Sequence, residues 1–259
     1  PPTFQANTVN VIEHLGAKLP HDARFRTHDG KAVSLGEVLT GDLPTILTFN
    51  YADCPMLCSQ QLNGLTAAMP ETAKPHVVPG ADKEIALVLG EHYRIVTISL
   101  EPDESVAKLT KMRGKYLERI KAKPDDKDAK WTYLTGDALS IKRVADVVGF
   151  GYTYIPDRAE WAHPAAFIFV SSAGAITRYV YGIEFPAGVL GESIYKAGLA
   201  ESSTAAGFMF RCYHYDPAAK DHSRAGVLAL RIGAASCVAL LAAFGIMQLV
   251  RRKPRREVS

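Results

Sequence analysis

The sequence predicts an α/β fold: parallel strands joined by helical crossovers, then an antiparallel hairpin and a last helix. Three observations carry this expectation. The runs 45–50 and 94–100 are rich in Ile, Leu, Val and Phe without strict alternation, the pattern of strands covered on both faces. Each is followed by residues at helical spacing: Leu57, Gln61, Leu65 and Ala68 after the first, and Val106, Leu109, Met112, Tyr116 and Ile120 after the second. The runs 166–170 and 175–181 flank Ala173-Gly174, a turn signal between two strands.

The elements follow in order. Residues 1–14 read as an N-terminal arm, polar and aperiodic over the first ten positions. Residues 19–35 read as a β-hairpin, because Asp29-Gly30 is a tight-turn signal between two short strands. Gly41-Asp42-Leu43-Pro44 breaks the chain before the strand at 45–50. A helix follows Cys54 to about Met69, with Pro55 suited to its first turn. Residues 70–92, punctuated by Pro70, Pro75, Pro79 and Gly80, read as a loop with a short helix at 86–89. Asp103 or Glu104 opens the next helix, to about Ile120. A charged loop at 121–130, a strand at 131–134, a helix at 138–148, an extended piece at 152–155 and a helix at 187–199 complete the list. The order βαβαβ, then hairpin and helix, is a thioredoxin-like arrangement preceded by an N-terminal β-hairpin.

Charge and hydropathy set the boundaries of that domain. The 259 residues carry a net +3, but the segment 251–259 alone holds five positive charges and one negative. Everything before it therefore sums to about −1, which removes any compositional case for nucleic-acid binding. Residues 232–250 contain no formal charge and are rich in Ala, Leu, Val and Ile, long enough to cross a bilayer core at ~1.5 Å per residue. The expected organisation is an arm at 1–14, a domain at 15–200, an extension at 201–230, one transmembrane helix at 231–250 and a basic tail at 251–259. The basic tail assigns the C-terminus to the cytoplasm and the domain to the outer, oxidising side. Beginning at Pro1-Pro2, the sequence reads as a processed or trimmed product.

Chemistry concentrates at Asp53-Cys54-Pro55-Met56-Leu57-Cys58, at the end of the first core strand. Open α/β sheets bind and react at that end. Cysteines four positions apart share one helix face, and a helix N-terminus favours thiolate over thiol. Such a pair can close as a disulfide, hold a soft metal or remain inert. In the expected sheet, the loop carrying His163 enters the strand at 166 beside that corner. Two thiolates and an imidazole suit Cu(I), with Cu(II) possible in a tetragonal site. Zinc competes on ligand type, although a structural zinc site normally takes a fourth protein ligand. Asp53 reads as a helix cap. In the extension, Cys212 and His214 form a Cys-x-His pair that offers a second soft-metal site, which Met209 could join, or a resolving thiol, while the strip reads first as docking the domain onto its anchor. Cys237 falls within the apolar run, and His14, His21, His28, His76, His92 and His222 have no constellation around them.

The motif 53–58 with His163, together with Phe25…Asp29-Gly30-Lys31…Leu35 and Val96-Thr97-Ile98-Ser99-Leu100-Glu101-Pro102, resembles the Sco/SenC family over about residues 15–200. The resemblance implies copper held by Cys54, Cys58 and His163. It also implies a role in maturing the copper centre of cytochrome c oxidase, by delivering copper or by reducing the acceptor's cysteines. The implied partners are the oxidase's copper-bearing subunit or another copper protein, and the bilayer. The implied location is a bacterial-type inner membrane with the domain on the periplasmic side. The chain departs from the family pattern at Met56, at Ser59, around Ala162-His163-Pro164 and in its C-terminal anchor. Two other functions fit the residues: a thiol–disulfide oxidoreductase using Cys54 and Cys58 as redox thiols, and an accessory subunit of a respiratory membrane complex.

Overall fold

Two neighbouring strands, β3 (Thr45–Asn50) and β4 (Arg94–Ser99), form the centre of the sheet, and every residue in both is buried. They run parallel in continuous register from Thr45 opposite Arg94 to Asn50 opposite Ser99. The computed structural model describes residues 9–54, 57–126 and 128–202. By contacts the chain divides between His214 and Tyr215, and all of the described residues belong to the first unit.

The remaining strands are β1 (Arg24–Thr27), β2 (Ala32–Ser34), β5 (Trp131–Thr135), β6 (Thr153–Ile155), β7 (Glu160–Ala162), β8 (Ala166–Val170) and β9 (Ile176–Tyr181). The helices are α1 (Leu35–Val38), α2 (Leu57–Thr72), α3 (Val106–Arg119), α4 (Ala138–Val147) and α5 (Ala187–Gly198). Seven strands form one sheet in the order β2-β1-β5-β4-β3-β8-β9, while β6 and β7 pair separately. Parallel β3 and β4, with antiparallel β8 and β9 on the far side of β3, make the fold thioredoxin-like. The hairpin β1–β2 extends the opposite edge by pairing antiparallel with β5.

Strand alternation sends side chains to two cores. Leu47, Phe49, Val96 and Ile98 face a core shared with Ile141 and Val144 of α4 and with the N-terminal segment. Ile46 and Ile95 face a second core, closed by Leu62 and Leu65 of α2, Leu109 and Tyr116 of α3, and Ile194 of α5. Cys58, although on α2, joins the first core, because the start of that helix overhangs the sheet end.

Several expectations change in detail. Residues 86–89 are extended rather than helical: Ile85 N donates to His76 O and Leu87 N to Thr72 O, so their amides bond outward. Helix α3 is capped by Ser105, whose hydroxyl accepts from Lys108 N at 3.3 Å. Asp103 sits in the left-handed region at φ 53°, and the Glu104 carboxylate turns inward. Within the expected arm, Ile12 N donates to Gly149 O at 2.8 Å and His14 N to the Tyr179 hydroxyl at 3.0 Å. Residues 9–14 are thus docked on the domain. The lack of period there reflects an isolated pairing of Val11 with Phe150. No described helix is long and apolar enough to cross a membrane, and the expected span at 231–250 lies outside the described residues.

Candidate metal centre

The C-terminal ends of β3 and β4 finish on buried polar residues, Asn50 and Ser99, opposite each other in register. The chain leaves β3 there through Tyr51-Ala52-Asp53-Cys54 and enters α2. Cys54 N donates to Tyr51 O at 3.3 Å, and Leu100 N to Asn50 O at 2.8 Å, so the corner is tied to the sheet from both sides.

Cys54 and Cys58 are both free thiols, and the structure brings His163 to them across 105 positions of chain. The three ligating atoms lie within 4.8 Å of one another. Cys54 is half-buried, whereas Cys58 and His163 are buried, at 1% and 3% exposure. The histidine arrives on the loop between β7 and β8 and packs against Phe150, with ring centroids 6.1 Å apart, and edge-on to Tyr51 at 6.3 Å. Its Nδ1 lies 3.0 Å from the carbonyl of Pro164, which can only accept, so the ring donates from Nδ1. That fixes the tautomer and leaves the Nε2 lone pair facing Cys58 Sγ, 3.1 Å away.

The two sulfurs are electrostatically unlike. Cys54 Sγ accepts the Cys58 amide hydrogen at 3.2 Å, in the place a capping side chain would take. The Cys58 thiol beside it, His163 and that amide hold the Cys54 thiol well below its ordinary range, against the opposing effect of burial. Burial pushes the Cys58 thiol up, and the neighbouring Cys54 sulfur adds to the effect. Cys54 is therefore a thiolate at neutral pH, while Cys58 keeps its proton. Alkylation follows with a definite sign. The rate at Cys54 stays on its plateau below pH 7 and falls only as acid reaches the lowered value; Cys58 stays silent through pH 8. Residue-resolved iodoacetamide labelling across pH checks this, and equal rates at the two sulfurs would contradict it.

Side chains not singled out from the sequence complete the surroundings. Tyr51 keeps its hydroxyl proton, because burial raises its pKa and the two sulfurs raise it further. Asn50 donates to Gln61 at 3.5 Å, and the Gln61 Nε2 has no partner among the described residues, leaving a buried polar patch at the foot of α2. Trp161 donates from Nε1 to Glu101 at 2.8 Å and tilts against Tyr152 and Tyr154 beside the histidine loop. The signal for the first group was available in the sequence: Asn50 and Ser99 end two buried strands at the same register. Asp53, read as a cap, instead pairs with Lys108 at the surface. Pro55 and Met56, and with them Met209, Cys212, His214 and Cys237, lie outside the described residues.

Comparison with known proteins gives the fold a context. No protein-family model and no curated protein sequence matches the chain. A crystal structure from Aquifex aeolicus VF5, described as a candidate electron transfer protein, matches with a TM-score of 0.57 at 17% identity over 73% of this chain and 96% of that one. The likeness is one of fold. The solved structures similar to this chain also include Arabidopsis thaliana ScoI with copper bound, TM-score 0.49 and 21% identity over 71% of this chain and 98% of that one. Bradyrhizobium japonicum ScoI with copper bound gives 0.48 and 18% over 71% and 99%.

Chemically, the cluster offers one thiolate, one thiol whose proton must leave, and one imidazole lone pair. Among the described residues it has three members, so a tetrahedral ion would keep an open position. Two sulfurs and a nitrogen are donors for a soft ion.

Proposed function

We propose that this chain is a membrane-anchored copper protein of the Sco/SenC kind, serving the copper centre of a cytochrome c oxidase during assembly. The carrying observation is the convergence of Cys54, Cys58 and the Nε2 of His163 within 4.8 Å, with Nδ1 already committed to Pro164. In this reading all three are copper ligands and the ion is cargo. The sequence motif 53–58, the segment 96–102 and the apolar run before the basic tail support it. The bilayer is reached through residues 231–250, with the domain on the periplasmic side.

A second reading has a specific observation in its favour. Free thiols on one helix end, with Cys54 held as thiolate, suit attack on a disulfide, Cys58 then resolving the mixed intermediate. The same sulfurs bind copper only when reduced, so redox state gates loading.

One experiment separates the roles. The full chain is titrated with copper and mixed with an oxidase copper-bearing domain, and the location of metal and disulfide is then measured. Delivery moves copper to the acceptor without a change in its thiols. Reduction leaves a disulfide on Cys54–Cys58 and free thiols on the acceptor. Copper binding no stronger in wild type than in Cys54→Ser overturns the proposal.

A further inference from the structure

The turn that carries Cys54 is held by a residue from a different crossover. Glu104 is 5% exposed and has no basic partner in hydrogen-bond range among the described residues. Its carboxylate accepts the Ala52 amide at 3.1 and 3.2 Å, one distance to each oxygen, and the Ser99 hydroxyl at 2.6 Å. Ser99 is itself oriented, since its oxygen accepts the Glu101 amide at 3.1 Å. Four residues further on, in the first turn of α3, Lys108 holds Asp53, the residue next to Cys54. The loop leading into α3 and its first turn therefore grip three consecutive points: the end of β4, Ala52 and Asp53.

A buried carboxylate without a counter-charge is costly unless hydrogen-bonded donors surround it. The sheet could close this corner with an apolar side chain at lower cost. What the carboxylate adds is directional: it fixes the amide plane of Ala52, and with it the direction in which the chain leaves for Cys54.

We propose that Glu104 is a positioning residue for Cys54, setting its sulfur against Cys58 and His163 by clamping the Ala52 amide to the end of β4. The inference rests on the reading of Cys54, Cys58 and His163 as the working site, but its test needs no metal.

The test is the thiol–disulfide equilibrium of the full chain with glutathione. Oxidised glutathione takes two electrons from the Cys54 thiolate and the Cys58 thiol, leaving one protein disulfide; the Cys58 proton and one proton from solvent complete the two reduced glutathione molecules. Peptide mass spectrometry after alkylation reads this pair separately from Cys212 and Cys237. Glu104→Ala is expected to lower the equilibrium constant about tenfold, about 30 mV for a two-electron couple. Glu104→Gln keeps an acceptor for Ala52 and is expected to stay within about threefold. Leu117→Ala, in the helix that Glu104 precedes but in the second core, controls for a merely structural effect: it lowers the melting temperature and leaves the equilibrium unmoved. If Glu104→Ala does not fold, Ser99→Ala removes one of the clamp's donors and is expected to shift the equilibrium by about threefold. An equilibrium in Glu104→Ala, or in Ser99→Ala where that variant stands in, no different from Leu117→Ala overturns the proposal. Absence of copper binding in wild type would sink the copper reading and leave this one standing.

Discussion

Replacing His163 by alanine is expected to weaken copper binding by the full chain more than about 100-fold, beyond the 10–100-fold that changes around a ligand typically cost. The reason is in the geometry. Nε2 is the only nitrogen of the cluster, and its lone pair is aimed at Cys58 because Nδ1 is spent on Pro164. His163→Ala also removes one of the groups that hold the Cys54 thiol low, so Cys54 is less readily a thiolate for the ion. Competition titration against a chelator of known affinity measures the loss. His163→Ala binding within about threefold of wild type would remove the histidine from the site and leave only the dithiol reading. The same titration in weak buffer is expected to release about one proton per ion at pH 7, because Cys54 is already a thiolate and Cys58 is not.

The second large effect concerns the helix that presents Cys58. Gly64→Ala is expected to destabilise the domain by about 3 kcal/mol, although alanine is favoured over glycine in a helix by about 1 kcal/mol. A Cβ at Gly64 would stand 1.9 Å from the Ile183 carbonyl oxygen and 2.9 Å from its carbon, backbone atoms of the β9–α5 connection. Phe185, 3.3 Å from the same point, closes the other side. Helix α2 therefore lies directly on that connection, and any side chain at 64 drives it away. Thermal unfolding is expected to fall by roughly 6–12 °C. A melting point equal to or above wild type would show that the connection yields. Since Cys58 lies six residues before Gly64 on α2, the variant is also expected to weaken copper binding.

The core of the sheet was legible because its physics is local. The runs at 45–50 and 94–99 are buried on both faces, Thr48 and Thr97 included, and so leave no exposed alternation to misread. Cys54, Cys58 and His163 were legible because strand order alone places the loop before β8 beside the end of β3. Harder to read were residues whose role depends on side-chain direction. Glu104 has the sequence profile of a helix-opening acid, and only its inward turn, allowed by the left-handed Asp103, reveals the clamp. Asp53 fits a cap equally well until Lys108 is seen opposite it. Residues 86–89 read as a short helix, yet the Leu87 amide finds its partner at the end of α2 and the adjoining Ile85 amide finds one in His76. Local pattern cannot register a partner that distant.

The unequal exposure of the two sulfurs has a consequence for traffic. Cys58 and His163 are sealed by the sheet end and by Phe150, while Cys54 stands half open on the α2 corner. In the proposed copper role, an incoming ligand from another protein would meet the ion from the Cys54 side. Under the proposed copper reading, exchange would be ordered, the bond to Cys54 opening first and the buried pair letting go last.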